Sequence, residues 1–314
     1  MATSTSPAPT PSAQPRGLDR TGLALGLGTY LLWGSFPIYF KLFTRTDAVE
    51  LVAQRVVWGL VVCLLLLVVA RRWRAFVDVW RRPRQVAILA TAALLVGGNW
   101  LIYVWGVQNG HVVDASLGYY VNPLLTVLLA VVLLRERLTV PQWWAIGVGA
   151  AAVLVVSFGG HGVPWLALSL ALTFGLYGLL KKQLGTSVDA LAGLGVETAV
   201  LAPLGLGYLL WLGPDGSTTG GGAGYVVLLA TLGVATVVPL VMFSAAAQRL
   251  PLSIVGLLQY VTPTLQLGLG VLLYDEPMSP ARWAGFALVW VALTILTVDA
   301  VRSLRRPRDR GPRG

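Results

Sequence analysis

The sequence RERLTVPQWW at residues 135–144 has a counterpart 140 positions later, DEPMSPARWA at residues 275–284. The same spacing relates residues on both sides of this motif. The coincidences that are hardest to obtain by chance in so apolar a chain are Gln108 with Gln248, Tyr120 with Tyr260, Pro123 with Pro263, Glu136 with Glu276 and Trp143 with Trp283. The chain therefore contains an internal duplication, which is typical of many transporter folds when the sequence is membrane-like.

The composition indicates a membrane protein. Charged residues make up 11% of the 314 positions and hydrophobic residues 56%, whereas soluble domains carry about 25% charged residues. Residues 138–180 contain no Asp, Glu, Lys or Arg, and this run is about twice the ~20 residues that cross a bilayer. Because helices satisfy their own backbone hydrogen bonds in lipid, we expect an all-α integral membrane protein surrounded by a lipid bilayer.

Apolar runs separated by Gly, Pro and charged residues predict ten transmembrane helices. They cover residues 21–41, 49–70, 86–108, 112–134, 141–158, 164–181, 190–212, 225–248, 252–274 and 281–300. Five helices form each repeat, at residues 21–158 and 164–300. Residues 1–20 are expected to be a disordered cytoplasmic tail, and residues 301–314 a basic cytoplasmic tail.

The distribution of basic residues predicts the orientation of these helices. Nineteen of the 23 Lys and Arg residues fall on one face of the membrane and three on the other, while Arg55 lies inside a helix. Cytoplasmic loops are enriched in Lys and Arg, so both termini are expected in the cytoplasm. The same enrichment explains the net charge of +10, and we expect no nucleic acid partner.

An odd number of helices per repeat means that the second repeat enters the membrane inverted relative to the first. Two inverted repeats can exchange conformations and open a central site first to one side and then to the other. This pattern predicts a transporter, although a duplication that only builds a stable bundle would look the same. The sequence contains no P-loop, nucleophile elbow or zinc-protease motif, so we expect neither a cofactor, a metal nor an enzyme.

Longer motifs carry a resemblance to a known family. They are YLLWGSFPIYFK at residues 30–41, AQRVVW at 53–58, NGHVVDASLGYYVNPLLTVLLAVVLLRERL at 109–138, FGLYGLLKK at 174–182 and LPLSIVGLLQYVTPTLQ at 250–266. These segments resemble the RarD branch of the EamA family, within the drug/metabolite transporters. The resemblance implies ten helices in two inverted five-helix repeats, a bacterial plasma membrane, and transport of a small metabolite or drug, often as export.

Two charges lie deep inside predicted helices, where an unpaired charge is costly and therefore marks a candidate site. Arg55 lies about seven residues into the second predicted helix, and Glu197 lies a similar distance into the seventh. Because these helices are equivalent in the two repeats, we expect both side chains near one midplane. They could form a structural ion pair, Arg55 could bind an anionic substrate with Glu197 as competitor or proton carrier, or both could snorkel to an interface.

Other candidates are aromatic and amide residues within apolar runs, which could line a substrate site or simply join helices. The substrate-binding candidates are Asn99, Trp100, Tyr103, Asn109, Tyr119, Asn122, Gln259 and Tyr260, with Thr262 and Gln266 in the same group. Mid-helix prolines could kink the chain and expose backbone to solute. These are Pro37, Pro123 and Pro263. A polar cleft lined by Arg55, Asn99, Tyr103 and Glu197 would favour transport over a non-transporting membrane protein or an intramembrane enzyme.

Overall fold

The computed structural model describes residues 19–135, 137–217 and 221–305, and every regular element in these ranges is helical. The predicted tails at residues 1–20 and 301–314 lie largely outside the described residues, and so does Glu136. The α-helices are α1 Arg20–Gly34, α2 Phe36–Phe40, α3 Ala48–Val69, α4 Trp73–Trp80, α5 Pro83–Gln108, α6 Val112–Leu134, α7 Val140–Val156, α8 Trp165–Leu184, α9 Ala190–Leu212, α10 Gly222–Ala247, α11 Leu252–Leu258, α12 Val261–Gly268 and α13 Pro280–Arg305.

Eight helical segments of the described chain are long and apolar enough to cross a membrane. They are Ala48–Val69, Pro83–Gln108, Val112–Leu133, Val140–Gly159, Ala190–Asp215, Gly222–Ala247, Ile254–Leu273 and Pro280–Arg302. The first predicted span is not among them, since it is interrupted at Ser35 between α1 and α2. The sixth predicted span, which corresponds to α8, is also not among them. The last turn of α8 carries Lys181 and Lys182. The protein is thus a multi-pass helical membrane protein, and the count of ten spans stays a prediction.

Two central helices, α3 and α9, begin with the same local signal. Asp47 precedes α3, and its carboxylate accepts hydrogen bonds from the N–H groups of Val49 at 2.8 Å and Glu50 at 2.9 Å. Asp189 precedes α9 and caps its first turn in the same way. An acidic N-cap satisfies N–H groups that the helix itself leaves unpaired. The aspartates therefore fix where these two central helices start.

The two halves of the chain pack against each other through their central helices. Helix α3 packs on α9 and α10, α6 packs on α8 and α12, and α1 packs on α10 and α12. Helices α7 and α13 pack mainly on one another at the edge of the bundle. Helices α3, α5, α6, α10 and α12 therefore bring both halves of the sequence together in the interior of the bundle.

The short helix α4, which lies between two predicted spans, is at one end of the bundle. In α4, Phe76 and Val79 are buried while Trp73 and Trp80 are exposed, so the helix lies with one face against α9. This helix and the residues on either side of it carry a dense group of basic residues, Arg71, Arg72, Arg74, Arg81, Arg82 and Arg84. We call this the basic end of the bundle, and the opposite end the far end.

Close backbone packing of α3 against α10 depends on Gly233. A Cβ atom added at Gly233 would overlap the carbonyl oxygen and carbon of Trp58, which are backbone atoms of α3 and cannot turn away. A larger residue would therefore force the two helices apart. Small residues commonly allow such approach between membrane helices.

The variant Gly233→Ala is expected to lower the free energy of unfolding by about 1–3 kcal/mol, because overpacking strains the interface. Thermal unfolding of the purified protein in detergent would measure this. The matched control is Gly207→Ala on α9, where a Cβ would meet nothing within 4 Å. This control should unfold at the same temperature or higher, because Ala favours a helix over Gly by up to ~1 kcal/mol. Equal behaviour of the two variants would contradict the proposed contact.

Candidate functional site

Arg55 is buried where the two halves of the chain meet. The side chain projects from α3, and the residue is only 6% exposed. Its Nε donates a hydrogen bond of 2.9 Å to Thr236 Oγ1 on α10. The guanidinium lies 4.1 Å from the centroid of the Trp100 ring on α5. Arg55 is therefore held by one contact from each half of the chain.

Aromatic side chains surround the rest of the guanidinium. The rings of Phe36 and Phe40 on α2 lie 5.8 and 5.7 Å from Arg55 Cζ. The phenols of Tyr39, Tyr103 and Tyr119 are near enough to interact with it electrostatically. Aromatic faces and phenol oxygens stabilise a cation only partly compared with a carboxylate. No carboxylate of the described residues forms an ion pair with Arg55, as the ion pairs found there all involve other basic groups.

Gln266 joins this group from the second half of the chain. It lies in α12 and is 1% exposed. Its Nε2 donates to the Tyr103 hydroxyl at 2.8 Å and to the Trp33 carbonyl at 3.3 Å. The other amide atom, Oε1, is buried without a partner. We call the set Arg55, Trp100, Tyr103, Tyr119, Thr236 and Gln266 the Arg55 cluster.

The chemistry of the Arg55 cluster suits an anion. A guanidinium stacked on an indole face keeps its N–H groups in the guanidinium plane, where they can donate to a carboxylate or phosphate. The surrounding rings exclude water, which strengthens such a contact. The cluster contains no nucleophile next to a base and no set of metal ligands, so binding is the chemistry that its geometry supports.

Three predicted amide candidates lie outside the Arg55 cluster. Asn99 is 2% exposed, and its Nδ2 donates to Leu170 O at 3.1 Å and Thr173 Oγ1 at 2.9 Å, which ties α5 to α8. Asn122 donates to Ala171 O at 3.3 Å and ties α6 to α8. Asn109 is exposed and donates to Trp105 O within its own segment. The contacts of Asn99 and Asn122 join helices, which is the alternative to substrate binding that the sequence left open for these residues.

Of the candidates in the ninth predicted span, Gln259 and Tyr260 lie away from Arg55, whereas Gln266 lies near it. Gln259 is exposed, and Tyr260 stacks on Tyr120 with ring centroids 6.4 Å apart, beside Phe286 rather than Arg55. The span is interrupted between α11 and α12 at these two residues. Gln266, two helical turns later, therefore reaches the centre where Gln259 does not.

The three predicted prolines occupy different local positions. Pro37 lies in the first turn of α2, after the interruption at Ser35. Pro123 lies inside α6. Pro263 lies near the start of α12, where its carbonyl accepts a 2.7 Å hydrogen bond from Ser116 Oγ of α6. Two prolines that were not singled out, Pro203 and Pro239, lie inside α9 and α10.

Glu197 pairs with Lys181 and not with Arg55, so the structural ion pair between Arg55 and Glu197, one of the alternatives left open, is not formed. Glu197 is 2% exposed; its carboxylate pairs with Lys181 Nζ at 2.7 Å and accepts from the Tyr177 hydroxyl at 3.3 Å. Helices α3 and α9 run antiparallel, because Gly205 abuts Ala53 whereas Gly59 abuts Thr198. Glu197 is thus displaced about five residues, or roughly 8 Å, toward the basic end.

The far end is closed by contacts between the two halves. The buried Glu276 carboxylate accepts hydrogen bonds from the N–H groups of Val112 and Val113, both 2.7 Å, at the start of α6. Arg282 pairs with Asp114 at 3.2 Å, and His111 lies 3.1 Å from the same aspartate. The duplicated motif was interpreted as a turn and topology element. Glu276 in addition connects the second half to the first.

Four residues of the Arg55 cluster are buried, namely Arg55, Tyr103, Thr236 and Gln266, whereas Trp100 and Tyr119 are partly exposed. Two cavities of about 500 and 250 Å³ lie at the basic end, one between α5 and α8 and the other between α7 and α13. Neither is lined by a residue of the cluster. Arg55, Asn99, Tyr103 and Glu197 were expected to line one cleft. The described helices do not bring the four together, since Asn99 contacts α8 and Glu197 pairs with Lys181.

Some residues of the site gave no signal in the sequence. Thr236 is one of many hydroxyl residues in apolar runs, and Phe36 and Phe40 are typical lipid-facing types. Lys181 is the last residue of the predicted span 164–181, where a basic residue is also typical of a helix end at the membrane surface. Only the depth of Glu197 in its helix could have suggested a cationic partner nearby.

Comparison with protein families gives one match that occurs twice along the chain. The model described as the EamA-like transporter family matches residues 20–158 and again residues 162–298. Both matched segments contain one of the motifs related by the 140-residue spacing. The interruption between them falls in the connection before α8.

Several relatives match along nearly the whole chain. Protein RarD of Streptomyces exfoliatus is 48% identical over 294 residues, covering 93% of each chain. An uncharacterized transporter of Vibrio cholerae is 42% identical over 288 residues, covering 90% of this chain and 94% of its own length. Protein RarD of Escherichia coli is 38% identical over 290 residues, covering 91% of this chain and 97% of its own length.

A solved crystal structure has a similar fold. It superposes with a TM-score of 0.58 at 20% sequence identity, covering 90% of this chain and 99% of the other. At this identity the similarity concerns the arrangement of helices alone.

Proposed function

The chain belongs to the EamA-like transporter family, and we propose that it carries a small organic anion, a metabolite or a drug, across the bacterial plasma membrane by alternating access. The observation that carries this proposal is the buried guanidinium of Arg55, enclosed by aromatic rings with no carboxylate paired to it in the described chain. A buried charge left without a counter-ion is costly. A substrate that brings a carboxylate or phosphate would supply the missing charge when it binds.

The proposed architecture is ten membrane helices in two inverted five-helix repeats, residues 21–158 and 164–300. The double match to the family model supports the division. The interrupted first span packs on α10 and α12, and α8 packs on α5 and α6, as expected of two further spans within the bundle. We also propose that the basic end faces the cytoplasm with both termini, because Lys and Arg concentrate on cytoplasmic loops.

Within the site, we assign anion binding to Arg55, and the walls around the anion to Trp100, Tyr103 and Tyr119. Asn99 and Asn122 hold α8 against the helices that carry these walls. Glu197 stays the candidate for coupling to protons, now with Lys181 rather than Arg55 as its partner. The Glu197 carboxylate would be neutralised either by Lys181 or by a proton. Protonation would release Lys181, and a proton gradient would thereby favour one arrangement of the helices over the other.

The far-end contacts would then be the closed gate of one conformation. Glu276 and Arg282 of the second half both bind the start of α6 in the first half. Opening the site toward the far end requires these contacts to separate. The energy for opening would come from substrate binding or from an ion gradient, because the sequence offers no nucleotide site.

Glu276→Gln is expected to open the far end more often. The amide keeps one acceptor but turns its NH₂ group toward a backbone N–H, so a buried contact worth about 1–3 kcal/mol is weakened. The buried Cys63 is the chain's single cysteine, so Ser116→Cys provides a reporter one turn below the contact. Its labelling by a membrane-impermeant maleimide should rise about 5-fold or more when Glu276→Gln is added.

The control for this experiment is Asp275→Asn, which removes a neighbouring exposed carboxylate. Asn tolerates the left-handed backbone found at this position, φ 50°. The control should leave labelling unchanged. Labelling that stays equal in the Glu276→Gln protein would show that these hydrogen bonds do not govern access from the far end.

The transport proposal is tested by comparing metabolites in the medium of deletion and overexpression strains. We expect one or more organic anions to change in opposite directions in the two strains. The purified protein should then move the same anions across proteoliposome membranes. A protein that changed the chemical structure of the compound would support the intramembrane enzyme instead, and one that moved no compound would support a structural role.

A further inference from the structure

The carboxamide oxygen of Gln266 is a buried acceptor that the described residues leave unused. The residue is 1% exposed, and Oε1 has no hydrogen-bond partner. An unpaired buried polar atom costs about 1–3 kcal/mol, so it is rare without a functional reason.

The orientation of this amide is fixed by its neighbours. A backbone carbonyl only accepts hydrogen bonds, so the NH₂ group of Gln266 must face Trp33 O, 3.3 Å away. The second amide hydrogen goes to the Tyr103 hydroxyl at 2.8 Å. A flipped amide would place its oxygen against the carbonyl oxygen, which is repulsive. Both donors are therefore used, and Oε1 is left to accept from a group outside this network.

The amide shares its surroundings with the guanidinium. Tyr103 accepts from Gln266 Nε2, and its ring packs against Phe40, which also faces Arg55. The ring of Phe40 lies 6.0 Å from the Tyr103 ring and 5.7 Å from Arg55 Cζ. One small region thus contains a cation that can only donate hydrogen bonds and an oxygen that can only accept them.

We infer that Gln266 accepts a hydrogen bond from the transported molecule, which is therefore an organic anion with an O–H or N–H group close to its anionic end. This inference rests on the proposed anion site at Arg55. A molecule with the anion alone would leave Gln266 Oε1 unpaired in the bound state. Sites built to bind a hydroxyl or N–H reject analogues without it more strongly than apolar pockets reject a missing methylene.

Two pairs of acids that differ by one hydroxyl group test the inference. The pairs are 3-phenyllactate with 3-phenylpropionate and mandelate with phenylacetate. Their fluxes into proteoliposomes containing the full chain would be compared as kcat/KM. The wild-type protein is expected to favour the hydroxy acid of each pair by about 10-fold or more, since one unpaired buried acceptor is at stake.

Gln266→Met keeps the size of the side chain and removes its oxygen. We expect the preference within each pair to fall to about 1-fold, and the ratio of the two fluxes rather than either absolute flux is the readout. Gln259→Met is the matched control, because Gln259 is an exposed glutamine of the same predicted span that does not reach the centre. The control should retain the preference for the hydroxy acids. Gln266→Glu is a second variant of unchanged size, and its charge should reduce flux of all four acids by about 10-fold or more.

The outcomes separate the inference from the function beneath it. Equal flux of both members of each pair by the wild-type protein, or an unchanged preference in Gln266→Met, overturns the role of Gln266 while the anion site stands. Absence of flux for all four acids, together with flux of uncharged aromatic alcohols such as 3-phenylpropanol, overturns the anion site itself.

Discussion

Replacing Arg55 with Gln is expected to reduce anion transport by at least about 100-fold, because two charge-assisted hydrogen bonds of about 1.5 kcal/mol each are lost. Flux of an anion identified from the metabolite comparison would be measured in proteoliposomes. Arg55→Lys should restore only a small part of the flux, since an ammonium cannot form the paired, planar contact of a guanidinium. Arg81→Gln is the matched control, because Arg81 is exposed at the basic end.

The same Arg55→Gln protein is expected to unfold at an unchanged or higher temperature. Arg55 is desolvated in α3 without a carboxylate partner in the described chain, so its charge is a burden on the empty protein rather than a support. Loss of stability together with loss of transport would mean that Arg55 has a structural role. Unchanged transport at normal expression would falsify the proposed site.

The second large effect is expected at the pair of Lys181 and Glu197. Lys181→Met leaves the carboxylate of Glu197 buried without its cation, and removing one partner of such a pair costs about 3 kcal/mol or more. Lys181 is about one-third exposed while Glu197 is 2% exposed, so the lower end of the usual range applies. Thermal unfolding in detergent would show a large decrease for this single variant.

The double variant Lys181→Met with Glu197→Gln is expected to recover most of the lost stability. A neutral amide needs no counter-ion and still accepts from the Tyr177 hydroxyl, which lies 3.3 Å from the Glu197 carboxylate. The contributions of the two positions would thus be strongly non-additive, as expected for residues in contact. Additive losses would show that the two side chains do not depend on each other.

Glu197→Gln also tests coupling to protons. If Glu197 carries the proton, the variant should still exchange substrate but lose its response to an imposed pH gradient across the proteoliposome membrane. Lys182→Gln, at the neighbouring position, serves as the control for a change of charge at the basic end. A response to the gradient that survives in Glu197→Gln would remove Glu197 from the coupling role.

Much of the helical arrangement was predictable because its signals are local. The predicted spans 112–134 and 190–212 coincide with α6 and α9, and the Asp47 and Asp189 caps mark the starts of α3 and α9. The interruptions at Ser35 and at Gln259 lie two and four residues before Pro37 and Pro263. The prolines thus indicated bends in these spans, but not the residues at which the helices end. Helix α4 was missed because its arginines resemble a loop, although Phe76 and Val79 lie one turn apart on a buried face.

The candidate site was predictable only in part. Depth within a span correctly marked Arg55, Tyr103 and Glu197 as buried, because charged and polar groups avoid lipid. Partner choice was not predictable in this way. Symmetry suggested that Arg55 and Glu197 lie near one midplane, with an ion pair as one alternative. Antiparallel packing of α3 on α9 offsets the two residues along the helices, and Lys181 pairs with the carboxylate instead.

The sequence by itself determined that the chain is a duplicated helical membrane protein of the EamA-like transporter family, because composition, spacing and long motifs need no knowledge of contacts. Tertiary structure alone decided which side chains meet: Trp100 and Thr236 at Arg55, Tyr103 at Gln266, and the α6 start at Glu276. The physical reason is that a helix apolar on all sides carries no stripe to show which face turns inward. Its rotation and depth are set by the neighbours that pack against it.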